Sequence, residues 1–117
     1  MPEVRVFHCD DSSAFRVLVR EMLAELGDVS VVGDAGTLEE AVAALPAAKP
    51  DVVLVDLIAG EETEAPLAML RAAAPDARFL LYTGMPASRV KSNEQHVHKS
   101  VAFEELHRII TEVAGRA

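Results

Sequence analysis

Four apolar residues in a row, Val52-Val53-Leu54-Val55, run directly into a carboxylate, Asp56. A strand with one solvated face alternates apolar and polar side chains, whereas a strand covered on both faces does not. The run therefore predicts a central strand of a parallel sheet, with an acid at its C-terminal end. A second run, Val4-Arg5-Val6-Phe7-His8-Cys9, leads in the same way into Asp10-Asp11. Carboxylates gathered beside a buried sheet repel one another and are penalised by desolvation. A bound divalent cation removes that cost, so the two acidic strand ends point to a magnesium site with a spare carboxylate.

The rest of the chain alternates in the same sense. Phe15, Leu18, Val19, Met22 and Leu26 recur at helical spacing, predicting an amphipathic helix over 13–26 that stops at Gly27. Val29-Ser30-Val31-Val32-Gly33 reads as the second strand. Thr37 with Glu40 three residues on forms a capping-box pattern ahead of a helix over 38–45, and Pro46 and Pro50 bound the next connection. A helix follows over 64–73, with Pro66 tolerable only in its first turn. Strands are predicted over 77–82 and 95–98. A last helix over 101–114 places Phe103, Leu106, Ile110 and Val113 on one face, with Ser100 as its N-cap. Five βα units in series imply an α/β fold, a parallel sheet with helices on both faces and right-handed crossovers. In such sheets ligands sit at the carboxyl ends of the strands. Asp10, Asp11, Asp56, Thr83 and Lys99 all fall just after strands and are expected at one edge.

Length and charge narrow the class. With 117 residues, half of them hydrophobic, the chain suits one domain with its own core, taken as residues 1–117. A net charge of −8 argues against direct nucleic-acid binding by this domain. Cys9 is the only cysteine, which excludes an internal disulfide and fits a reducing, cytoplasmic compartment. It is expected to be a small core residue. No apolar stretch reaches the length of a membrane span, and Met1-Pro2-Glu3 does not open like a secretory signal. The four histidines lack zinc-site spacing: His96 and His98 share a strand face, while His8 is distant in sequence.

The ordered motifs resemble the response-regulator receiver domain of two-component signalling across essentially the whole chain. Asp10-Asp11 with Ser12-Ser13-Ala14-Phe15-Arg16 is similar to the family's acidic pair and first helix. Lys49-Pro50-Asp51-Val52-Val53-Leu54-Val55-Asp56-Leu57 is similar to its phosphoacceptor strand. Thr83 and Lys99 stand where the family has its switch hydroxyl and its lysine. Arg71-Ala72-Ala73-Ala74-Pro75-Asp76-Ala77-Arg78, and the absence of Pro after Lys99, resemble receivers that precede helix-turn-helix output domains.

The resemblance implies a doubly wound, flavodoxin-like (βα)5 sheet of five parallel strands in the order 2-1-3-4-5, and it implies roles. Asp56 would be the phosphoacceptor. Asp11, Asp56 and the backbone carbonyl of Ile58 would bind Mg2+ directly, and Asp10 would act mainly through water. Lys99 would pair with Asp56 and then with a phosphoryl oxygen, while Thr83 would donate its hydroxyl to the phosphoryl group. His96 occupies the place of an aromatic switch residue. The implied donor is a sensor histidine kinase or a histidine phosphotransfer protein, docking at the first helix near Phe15 and Arg16. A homodimer is a further partner the family allows; membrane is not. Chemistry is limited to Mg-dependent self-phosphorylation and autodephosphorylation, so the chain is not expected to be a turnover enzyme.

Two stretches depart from the family. The loop Leu57-Ile58-Ala59-Gly60-Glu61-Glu62-Thr63-Glu64 lacks the usual Met-Pro and Gly pattern. The segment from Gly84 to Gln95 is polar and lacks roughly 4–6 residues, more than one turn of helix. Only its Met85 and Val90 suit a core, so the fourth helix is expected to be short or replaced by a loop, on the face that normally carries dimerisation and output. That departure keeps two alternatives open: a phosphorylation-independent interaction module, and the receiver half of a DNA-binding transcriptional regulator. A small metal-dependent phosphatase ranks last, because no insertion is long enough to form a substrate cap.

Overall fold

The computed structural model describes residues 3–56, 64–86, 88 and 94–115. Five strands, β1 (Val4–Cys9), β2 (Val29–Ala35), β3 (Val52–Val55), β4 (Arg78–Thr83) and β5 (Gln95–His98), form one sheet in the order β2-β1-β3-β4-β5. Every pairing is parallel. Among the described residues four α-helices, α1 (Ser13–Leu26), α2 (Leu38–Ala48), α3 (Glu64–Ala73) and α4 (Phe103–Val113), flank the sheet. This is the doubly wound flavodoxin-like arrangement, with the expected strand order.

The unalternated β3 explains the two-layer core. Val52 and Leu54 face a cluster containing Val19 and Leu23 of α1 and Leu106 and Ile110 of α4. Val53 and Val55 face the opposite cluster, with Ala41 and Leu45 of α2 and Leu67 and Leu70 of α3. Both faces are therefore buried, as a parallel sheet flanked by crossover helices requires. Between β1 and β2 the register slips once, at Val6/Phe7. There the Phe7 ring lies over Gly33, where an added Cβ would come within 2.8 Å of the ring. A side chain at position 33 would displace a core aromatic.

Helix ends follow local chemistry. Ser12 caps α1 by accepting from Phe15 N at 3.2 Å, and Thr37 caps α2 by accepting from Glu40 N at 3.2 Å. Gly27 ends α1 with φ 77°, in the left-handed region that glycine tolerates.

Besides one-residue shifts at the end of α4 and in β4, which takes Thr83 as its last residue, three boundaries differ from the sequence reading. Pro46 lies inside α2 rather than bounding it; only its final turn follows, and Lys49, at φ 46°, closes the helix by donating to Leu45 O at 3.1 Å. β2 runs on to Ala35, because Asp34 and Ala35 keep pairing with His8 and Cys9. Ser100 does not cap α4. The N-cap is Ala102, without a side-chain bond, because the Ser100 hydroxyl is engaged by His98 at 2.7 Å. Among the described residues no α-helix stands between β4 and β5, where Ser88 lies in a 3-10 turn, in keeping with the short or missing fourth helix. Met85 is half-buried, and Val90 lies outside the described residues.

Packing of this kind predicts a sharp contrast. Leu54→Ala, at the fully buried centre of the sheet, should cost about 2–5 kcal/mol in urea unfolding. Val17→Ala, on the 54% exposed face of α1, should stay within about 0.5 kcal/mol of wild type.

Candidate functional site

Three backbone hydrogen bonds set the strand ends side by side. Asp10 N donates to Ala35 O at 3.0 Å, Asp56 N to Cys9 O at 2.9 Å, and Lys99 N to Thr83 O at 2.9 Å. Each polar residue just past a strand is thus held by the neighbouring strand. The result brings Asp10, Asp11, Asp56, Thr83 and Lys99 to the carboxyl edge of the sheet.

The carboxylates of Asp10, Asp11 and Asp56 offer ligand oxygens that all lie within 4.8 Å of one another. Asp10 is buried, Asp56 half-buried and Asp11 exposed. Lys99 sits among them, its Nζ 2.6 Å from Asp10 Oδ2 and 3.1 Å from Asp56 Oδ2. Pairing with Asp56 was expected; the shorter contact to Asp10 was not. Asp10 also accepts from Ser12 N through Oδ1 at 2.9 Å, so its carboxylate is held from both ends. Lys99 Nζ lies 4.6 Å from the centre of the Phe15 ring, which shields the ammonium from one side. Ile58 lies outside the described residues.

The electrostatics follow from this crowding. Burial pushes the Asp56 carboxyl above its ordinary range; the Lys99 hydrogen bond opposes this, the Asp10 charge reinforces it, and a Thr83 hydrogen bond opposes it further. Burial works to lower the Lys99 ammonium, but hydrogen bonds and charge from Asp10 and Asp56 outweigh it and raise the group overall. One lysine facing three carboxylates leaves a net negative, all-oxygen donor set, the kind that hard divalent cations select. Thr83 is fully buried, and its hydroxyl oxygen accepts from Met85 N at 3.1 Å. A cleft of about 130 Å³ opens beside the carboxylates, lined by Asp10, Asp11, Asp56, Gly36, Thr37 and Pro66 among others.

Sequence reasoning missed two neighbours, Arg16 and His8. Arg16, read as part of a docking surface, turns inward: its Nη1 donates to Asp10 O at 2.5 Å and its Nε pairs with Asp34 at 3.3 Å. It passes over Gly36, where a Cβ would lie 2.9 Å from Nη1. An Arg one turn into α1 facing an Asp late in β2 is the signal, but it is visible only once α1 and β2 are known to be neighbours. His8 is buried against Phe15 and Tyr82, its Nε2 3.7 Å from Asp10 Oδ2. Burial drives it down to about 4 against the pull of Asp10, so it is neutral at pH 7. Cys9 packs against the α2/α3 core, as expected of a small core residue. Burial, reinforced by Asp10 and Asp34, pushes its thiol up to about 12, too high for a reactive thiolate.

No family profile matches the chain. It is 31% identical over 122 residues to the DNA-binding transcriptional activator DevR/DosR of Mycobacterium tuberculosis, covering 97% of this chain and 56% of that protein. It is 41% identical over 54 residues to protein-glutamate methylesterase/protein-glutamine glutaminase 1 of Methanosarcina acetivorans, covering 46% of this chain and 16% of that protein. Among solved structures, the NarL signal receiver domain of Mycobacterium tuberculosis superposes with a TM-score of 0.83 at 26% identity, covering 100% of both chains. Fold and likeness together identify the chain as a response-regulator receiver domain of the two-component type. It spans about half the length of the activator, at 56%, and a much smaller share of the methylesterase, at 16%. No helix among the described residues is long and apolar enough to cross a membrane.

Because Asp56 titrates above its ordinary range in the folded chain, ionising it opposes folding. Asp56→Asn is therefore predicted to be more stable than wild type in EDTA at pH 7, by urea unfolding. The difference should shrink as pH falls through the raised folded value. It should vanish below the ordinary carboxylate range near about 3.9, where Asp56 is protonated in both states.

Proposed function

We propose that this chain accepts a phosphoryl group on Asp56 and uses it to switch a protein-interaction surface. The observation that carries the reading is the setting of Asp56. It is a half-buried carboxylate at the end of the central strand, with Lys99 at 3.1 Å, a hydrogen bond from Thr83, and two further carboxylates close by. An Asp56 oxygen attacks the phosphorus of a phosphohistidine on a sensor kinase or phosphotransfer protein. The P–O bond forms as the P–N bond breaks, and the imidazole leaves and takes up a proton. Lys99 steadies the charge on the phosphoryl oxygens, and the Thr83 hydroxyl donates to one of them. That second bond exists in one state only and so biases a two-state equilibrium.

Asp10, Asp11 and Asp56, with the Ile58 carbonyl implied by resemblance, would hold Mg2+, which supplies positive charge to offset the carboxylates and the phosphoryl oxygens. The all-oxygen donor set supports that choice. On this reading the chain turns over no separate metabolite and works in the cytoplasm. The likeness to the DNA-binding transcriptional activator DevR/DosR supports the receiver half of a DNA-binding regulator, and a homodimer is a further assembly that the family resemblance implies. The shortness and polarity of the segment from Gly84 to Gln95 support a second reading, a module that binds its partner without phosphorylation.

Incubation with Mg2+ and acetyl phosphate, followed by intact mass, separates the two. Wild type should gain one phosphoryl adduct and Asp56→Asn none. Lys99→Met should slow adduct formation by about 10²-fold. No adduct on wild type with Mg2+ shown to bind would favour the module, and an adduct on Asp56→Asn would overturn Asp56 as the acceptor.

A further inference from the structure

His98 carries three polar contacts that no role above absorbs. Its Nδ1 lies 3.1 Å from the Ser100 amide nitrogen and 2.7 Å from the Ser100 hydroxyl, and its Nε2 lies 3.0 Å from Gly84 O. A backbone amide can only donate and a carbonyl can only accept. The ring is therefore held in one neutral tautomer, with a lone pair on Nδ1 and the proton on Nε2. Its two arms reach separate segments. Gly84 directly follows Thr83 at the end of β4, and Ser100 directly follows Lys99 at the end of β5. Thr83 and His98 are register partners, and Lys99 N donates to Thr83 O at 2.9 Å. Val101 N, donating to His98 O at 3.1 Å, extends the tie to the turn that leads into α4.

We infer that His98 is a positioning residue: a brace that joins the loop after Thr83 to the turn carrying Lys99, so that the two groups facing Asp56 move as one unit. The inference rests on the phosphoacceptor reading. A hydroxyl drawn toward a phosphoryl group pulls Gly84 with it, and the imidazole passes that displacement to Ser100 and the start of α4. Without the ring, Thr83 and Lys99 keep their main-chain bond and their shared neighbour Asp56 but lose the side-chain tie between their loops, and fewer molecules hold both groups aligned at once.

The test compares wild type, His98→Phe and His98→Gln. Phe keeps a planar ring without donor or acceptor, and Gln restores a donor and an acceptor. Three quantities are read: the rate of adduct formation with Mg2+ and acetyl phosphate, Mg2+ affinity by calorimetry, and thermal stability. His98→Phe should slow adduct formation by about tenfold through the loss of the ring's three polar contacts, with Mg2+ affinity within about twofold of wild type. His98→Gln should recover part of that rate. An unchanged rate in His98→Phe overturns the brace. So does a slower rate with an equal loss of Mg2+ affinity, because that marks general damage. In parallel, long-range 1H–15N NMR on wild type should show a protonated Nε2 and a bare Nδ1; the opposite tautomer, or exchange between the two, also overturns it. If wild type takes no phosphoryl group at all, the phosphoacceptor reading falls, and the positioning role falls with it even where the tautomer is as stated.

Discussion

One ammonium holds the acidic edge together. Lys99 Nζ touches Asp10 at 2.6 Å and Asp56 at 3.1 Å, joining the ends of β1 and β3 to the turn after β5. Asp10 is nearly inaccessible, and a buried carboxylate without a counter-charge is costly. Lys99 meets that need, and the stacked Phe15 ring limits its own access to water. The cost of the site is thus offset by a group the chain carries itself. The one lysine still leaves an excess of negative charge over three carboxylates, a setting that suits a divalent cation.

This arrangement is possible because of what the sheet does with its strand ends. All five strands run the same way, so every C-terminal residue arrives at one edge. The backbone bonds from Asp10, Asp56 and Lys99 to the neighbouring strand then fix the spacing. Behind the edge, core clusters on both faces of the sheet hold the strands rigidly. Arg16 ties the carbonyl of Asp10 to Asp34 on β2, and His98 ties the Thr83 loop to the Lys99 turn. Side chains on both flanks therefore set the geometry of the acids from outside the acidic set.

The fold was legible because its strongest signals are local or topological. The unalternated Val52–Val55 strand implied a parallel sheet, the repeated βα units implied the common edge, and the family resemblance implied the strand order. Thr37 and Gly27 marked helix ends through bonds spanning a few residues. What escaped the sequence depends on contacts between distant segments or on competition for one group. Ser100 has the chemistry of an N-cap, but its hydroxyl is taken by His98, so α4 begins later at an uncapped Ala102. Arg16 looked like a surface cation because its partners Asp10 and Asp34 meet only in the fold. His8 looked unrelated to the acids, although strand alternation puts residues 8 and 10 on the same face and leaves its ring beside Asp10.

The central claim is that Lys99 is the internal counter-charge of the acidic edge and that a divalent cation acts on the same carboxylates. The most direct measurement is the unfolding free energy of Lys99→Met and wild type, in EDTA and in saturating Mg2+. In EDTA the variant should lose roughly 1–3 kcal/mol, the cost of leaving a buried acceptor without its partner. Mg2+ should stabilise the variant more than wild type and so narrow the gap. A variant as stable as wild type in EDTA, or one that Mg2+ stabilises no more than wild type, would contradict the account.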